Sequence, residues 1–171
     1  PTVSPSPSPV ETATPSPDPE AFAVTSAGFV NGVIQDAYGE RAGQTLAGIP
    51  TRSFEVSFAN VPEGTVCVAL CMIDPDAGDW VHWLVANAPV EGLAENASID
   101  SAATLLQGLN GSHFPGYAGP TPPGGTHTYV LTAYALSEGL GLESGFSYTD
   151  FTAAVEGKVL AVATLIGTYT H

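Results

Sequence analysis

"GPTPPGGTHTYVLTAYAL", residues 119–136, decides the fold, because it changes character half-way. Its first seven residues are glycine, proline and threonine, which forbid a helix and punctuate a loop. From Thr126 onward β-branched, aromatic and small apolar residues alternate, which predicts a strand over 126–136. Period-2 geometry puts His127, Tyr129, Leu131 and Ala133 on one face of it. A rigid, glycine-rich lead-in therefore delivers a histidine and a tyrosine to the start of an otherwise apolar strand.

Working outward, the same signals recur upstream and downstream. "TVCVALCMI" (65–73) and "VHWLVAN" (81–87) read as strands, joined by the polar turn "DPDAGDW" (74–80). Further strands are predicted near 54–58 and 159–169, with "VPEG" (61–64) as a turn. "TDFTAAVEG" (149–157) is the helical exception, with Thr149 as its expected N-cap and Gly157 past its end. The fold class is mainly β with a little helix, and no repeat of 20–50 residues is present.

Residues 1–22 differ in kind. "PTVSPSPSPVETATPSPDPE" is proline, serine and threonine with almost nothing apolar to bury, so it predicts a disordered linker ahead of a domain over 23–171. Such tethers hold secreted or lipid-anchored domains off a surface, so an extracytoplasmic location is the expectation. No apolar run approaches the ~18 residues that span a bilayer. The net charge of −14, from 17 acidic residues against three basic ones, argues against nucleic acid and anionic membrane as partners.

Candidate chemistry sits in the polar interruptions. His82 lies between Val81 and Trp83, so burial is expected, and a buried imidazole needs a partner; Asp74 and Asp76 are the nearest candidates. Alternation puts Trp80, His82 and Leu84 on one face. A core histidine satisfied by Asp74 is the structural alternative to a binding role. No His-x-x-x-His or Cys-x-x-Cys spacing supports a metal, and no GxSxG elbow or P-loop supports a serine hydrolase or nucleotide hydrolysis. Cys67 and Cys71, four residues apart in one strand, are ~13 Å apart at ~3.3 Å per residue, too far for a disulfide at ~4.4–6.8 Å. "NAS" (96–98) and "NGS" (110–112) match glycosylation sequons.

Taken in order, "SFEVSFANVPEGT" (53–65), "DPDAGDWVHWLVANAP" (74–89), "GLNGSHFPGYAGPTPPGGTHTYVLTAYAL" (108–136) and "AAVEGKVLAVATLIGTY" (153–169) resemble the phosphatidylethanolamine-binding protein family. The nearest branch is the bacterial and archaeal one called Raf-kinase-inhibitor-like. The resemblance covers about 28–171 in order and spacing. It implies a β-sandwich with a few short peripheral helices and a small anion pocket at one end of the sheet, with no cofactor. Carried over position by position, the pocket lining would be Asp74, Asp76, His82, Pro122, Pro123, His127 and Tyr129.

The resemblance implies a binding or regulatory module for a small anionic or phosphate-bearing ligand, not an enzyme. A protein–protein inhibitor acting through the pocket rim is the alternative, and a hydrolase built on the His/Asp pair comes third. Three departures are visible. Gly78 stands where the family usually has proline, in a shorter turn; Thr121 and Thr128 stand where the branch often has a cysteine and a basic residue.

Overall fold

The computed structural model describes residues 20–171. The expected linker falls outside that range over residues 1–19. Its boundary shifts slightly: Phe22 is buried in the core, so the domain begins at or before that residue and not at 23.

Among the described residues eleven strands follow in chain order. The N-terminal part is made of short ones: β1 (Ala23–Thr25), β2 (Phe29–Val30), β3 (Val33–Ile34), β4 (Thr45–Leu46), β5 (Ile49–Pro50) and β6 (Ser57–Ala59). The long ones are β7 (Cys67–Asp74), β8 (Trp80–Ala88), β10 (Thr126–Leu136) and β11 (Val159–Thr170), with the short β9 (Leu106–Gln107) between. Two short helices, α1 (Ala97–Asp100) and α2 (Tyr148–Val155), complete the chain. The main sheet has seven strands in the order β2-β3-β11-β10-β7-β8-β9, and two-stranded pairs β1-β6 and β4-β5 accompany it.

The four long strands lie where alternation and β-propensity put them. β7 is buried on both faces because helical or looped cover lies on each. Val68, Leu70 and Met72 enter a cluster with Phe54, Trp83, Tyr117, Leu131 and Ala133. Cys67, Ala69 and Cys71 enter a second cluster with Leu84, Phe146 and Phe151, under α2. Both cysteines are free and buried, as their separation along one strand requires. In the first cluster Phe54 packs edge-on against Trp83 and Tyr117, with centroids 6.0 and 5.6 Å apart.

Helix α2 starts two residues earlier than expected, and Ser147, not Thr149, is its cap. Ser147 Oγ accepts from the Asp150 amide at 3.1 Å, while Asp150 Oδ2 accepts from the Ser147 amide at 3.0 Å, a reciprocal capping box. The "SYTD" pattern carries that signal. No helix among the described residues is long and apolar enough to cross a membrane.

Both sequons serve the fold. Asn110 is buried and its Nδ2 donates to the Gly116 carbonyl at 2.9 Å, which leaves it closed to a glycan. Asn96 Nδ2 donates to Asp100, and Ser98 is buried with its hydroxyl donating to Gln107 Oε1 at 2.9 Å.

Candidate functional site

At the end of the sheet where β7 runs out and β10 begins, a cavity of about 350 Å³ opens. It is lined on the sheet side by Asp74, Trp80, His82, His127 and Tyr129, and on the loop side by Thr121, Pro122 and Pro123. Six of the seven expected lining residues meet there. Asp76 does not: it sits outside, on the short 3-10 turn Pro75–Ala77, and its Oδ2 accepts from the Thr128 amide at 2.7 Å. That hydrogen bond from the Thr128 amide holds the Asp76 carboxyl below its usual range. Asp76 thus ties the 74–80 turn to the first residues of β10.

The lining also includes residues that local patterns do not mark: Gly48 and Ile49 at the β4–β5 turn, Ala77, and Ser112. They come from short segments whose positions depend on long-range packing, so no periodicity points to them.

His82 reaches the cavity through a β-bulge. Ile73 pairs with Val81 and Met72 with Trp83, which leaves His82 as the extra residue on its strand. The expected alternation breaks here. Trp80 and His82 face the cavity, Trp83 joins the core cluster on the same side, and Leu84 belongs to the opposite cluster. The His82 ring is wedged between Trp80 and Tyr129, at centroid distances of 4.4 and 5.0 Å.

The expected Asp74–His82 hydrogen bond is replaced by another. His82 Nδ1 lies 2.6 Å from the Ala118 carbonyl oxygen, and the Ala118 amide donates to the His82 carbonyl at 2.8 Å. A carbonyl only accepts, so Nδ1 carries the hydrogen. Burial pushes the His82 pKa down to about 4, against smaller opposing effects of the Ala118 bond and the Asp74 charge. The ring is therefore neutral at physiological pH.

Asp74 pairs instead with His127. Its Oδ2 is 2.7 Å from His127 Nδ1, and its Oδ1 accepts from the Ala77 amide at 3.0 Å, capping the turn. Both oxygens of a nearly buried carboxylate are thus used, and the His127 ring is fixed with Nε2 free. Tyr129 follows two residues later on the same face, as predicted. Its hydroxyl is buried and reaches no hydrogen-bond partner. Desolvation, and then the charge of Asp74, raise its pKa.

The glycine-rich loop is held by backbone contacts more than by any ligand requirement. The Gly119 amide donates to the Pro50 carbonyl at 2.8 Å, and a Cβ at 119 would lie 2.3 Å from the Tyr38 carbonyl oxygen. Gly111 leaves room for the Trp80 ring, which a Cβ there would meet at 2.1 Å. Tyr117, between them, donates its hydroxyl to the Tyr38 carbonyl at 2.8 Å. These contacts fix Ala118, and Ala118 fixes His82.

No basic side chain lines the cavity. Arg41 pairs with Asp36 at 2.7 Å, Arg52 with Glu95 at 2.6 Å and Lys158 with Glu138 at 3.2 Å, all elsewhere. Among the described residues no group of three or more His, Cys, Asp or Glu is placed to hold a metal ion.

The sequence model of the phosphatidylethanolamine-binding protein family matches residues 25–170. The chain belongs to the phosphatidylethanolamine-binding protein family. Within it, the chain is similar to a UPF0098 protein of Methanothermobacter thermautotrophicus, 40% identical over 120 residues, 67% of this chain and 80% of the relative. A crystal structure of a phosphatidylethanolamine-binding protein homologue from Chlamydia trachomatis is 34% identical with a TM-score of 0.76, covering 89% of this chain and 99% of that one. E. coli YbcL, described as a new member of the mammalian family, is 25% identical with a TM-score of 0.75, covering 88% of this chain and 98% of that one. The bacterial and archaeal branch of the family, and its β fold with peripheral helices, are thus those of this chain.

Proposed function

We propose that the cavity is a binding site for a small anion bearing a phosphate-type oxyanion, and that the protein acts as a binding module and not as an enzyme. The observation that carries this reading is the buried Tyr129 hydroxyl without a partner, beside a histidine whose Nε2 is free. A buried hydroxyl left unsatisfied costs ~1–3 kcal/mol, and an acceptor placed in the cavity would remove that cost. His127 Nε2 supplies the second polar contact, with the ring held from behind by Asp74 at 2.7 Å.

A cavity of about 350 Å³ is at the small end for ligand sites, which suits a compact head group. Thr121, at the cavity wall, donates to the Gly119 carbonyl at 3.2 Å.

With a net charge of −14 opposing any anion, affinity is expected to be modest, on the order of millimolar or ~4 kcal/mol. Titration with inorganic phosphate, followed by the imidazole NMR signals, tests the reading. The His127 signals should move at millimolar phosphate. Affinity should rise with moderate salt, as the repulsive field is screened. Rings unmoved by tens of millimolar phosphate at pH 6 would overturn it.

A further inference from the structure

Two Asn-Gly pairs occur in the chain, Asn31-Gly32 and Asn110-Gly111, and the fold treats them in opposite ways. Glycine has no Cβ to shield its amide nitrogen from the carboxamide carbon of the asparagine before it. The other asparagines, Asn60, Asn87 and Asn96, precede Val61, Ala88 and Ala97, each with a Cβ beside that nitrogen.

Asn110-Gly111 is locked. Asn110 is 3% exposed, its Nδ2 donates to the Gly116 carbonyl at 2.9 Å, and its Oδ1 accepts from the Ser112 amide at 2.9 Å. The Gly111 amide is itself occupied by the Val81 carbonyl at 2.8 Å. The nitrogen and the carboxamide carbon cannot turn toward each other without breaking these bonds.

Asn31-Gly32 is held by none of this. The pair forms the two-residue turn between β2 and β3, with φ of 51° and 75°, the left-handed values that a type I′ hairpin needs. Both residues are exposed, and a Cβ at Gly32 would meet nothing within 4 Å. Among the described residues neither the Asn31 carboxamide nor the Gly32 amide makes a hydrogen bond. The Gly32 carbonyl, by contrast, latches the hairpin to the sheet. It accepts from the Thr168 amide at 2.8 Å and from the Thr168 hydroxyl at 3.3 Å, where β3 meets β11.

We propose that Asn31 is a site of spontaneous deamidation, and that its isoaspartyl product releases the β2–β3 hairpin from β11. The Gly32 amide gives its proton to solvent, and its nitrogen attacks Asn31 Cγ. The new C–N bond closes a five-membered imide, and Nδ2 takes up a proton and leaves as ammonia. Water then opens the imide. Opening at Cγ gives aspartate. Opening at the main-chain carbonyl gives isoaspartate, whose chain runs through Cβ and Cγ and is one carbon longer. A two-residue turn has no room for that carbon while Val30 stays opposite Val33, so the Gly32 carbonyl is carried off Thr168. Aspartate at 31 adds the same charge and leaves the chain length as it was.

Cleavage after Arg41 leaves Asn31 as the sole asparagine of residues 1–41, so its modification reads as a gain of one mass unit in that fragment. On incubation of the full chain at pH 8 and 37 °C, Asn31 should convert on the order of a hundred-fold faster than Asn110, whose reacting atoms are held out of line. In urea the two pairs should react at similar rates. Anion exchange isolates the modified chain by its added negative charge. Its isoaspartyl portion should lose hydrogen-exchange protection at the Thr168 amide, while N31D, with the charge but not the extra carbon, should keep it.

Asn31 left intact, or Asn31 and Asn110 reacting alike in the folded chain, would overturn the site. A modified chain whose Thr168 amide exchanges as slowly as before, or N31D exchanging just as fast as the modified chain, would overturn the release of the hairpin.

Discussion

The two histidines of the cavity arrive on strands separated by β7, and they are anchored in contrasting ways. His82 is an extra residue in a bulge, buried between two aromatic rings, and tied to a backbone carbonyl. His127 sits at the entrance of β10, partly exposed, and tied to a carboxylate. At His82 burial outweighs the pull of the carbonyl toward the cation and keeps the ring neutral, whereas at His127 a carboxylate fixes the ring. One sheet end thus holds a buried neutral imidazole and a partly exposed, carboxylate-paired one side by side.

The harshest way to break the comparison is to remove the carboxylate. Asp74→Ala takes away the His127 partner and the cap of the Pro75–Ala77 turn together. The expected loss is about 4 kcal/mol, the sum of a broken buried pair and a lost cap. Chemical denaturation of the variant measures it. A loss below 1 kcal/mol would mean that the turn is held by Asp76 alone.

A pH series sharpens the comparison from the other side. Folded His82 titrates at about 4, while an unfolded histidine titrates near ~6.5. The unfolded chain therefore binds the extra proton between those values. Stability owed to neutral His82 is complete above pH 6.5 and is lost as pH falls toward 4, by about 3 kcal/mol at most. The same series on H82F should lack that slope. The surface carboxylates Asp36, Asp76 and Asp150, whose pKa values are lowered, act in a separate window below their ordinary range. A wild-type profile flat from pH 6.5 to 4.5 would contradict the buried, neutral assignment of His82.

Much of this contrast was legible in the sequence, and the gaps have physical causes. The 126–136 strand and the shared face of His127 and Tyr129 follow from alternation, which is local. The bulge does not: it depends on Ile73 and Met72 skipping a residue opposite them, a property of two strands together. Asp74 was expected to serve His82 because the two are near in sequence. Across the sheet, however, β10 pairs directly with β7 and brings His127 to the end of the strand that Asp74 terminates. Asp76 was placed in the pocket by resemblance, but the single residue between it and Asp74 turns its side chain outward in the 3-10 turn. The short strands β2 to β5 contain two residues each, too few for any period to show.

The smallest expected effect has two signs. Tyr129→Phe deletes a buried hydroxyl that has no partner, so the free protein should gain about 1 kcal/mol. Phosphate affinity should fall in the same variant, since the site loses a donor. Thermal unfolding with and without phosphate checks both. A destabilised variant would show that the hydroxyl is bonded in solution, and the site would lose its unsatisfied donor.

Gly111 has an optical consequence. By leaving space under the Trp80 indole, it keeps that ring at the cavity mouth, against His82. The only other tryptophan, Trp83, is wholly buried, and its Nε1 donates to Gln107 at 2.8 Å. The two fluorophores therefore divide the work of reporting. Trp83 emits from a dry, constant surrounding, whereas Trp80 senses solvent and the state of the neighbouring imidazole. Ligand entry is expected to change the emission of Trp80 alone, with W83F retaining the change and W80F losing it, so that filling of the cavity can be followed without a label.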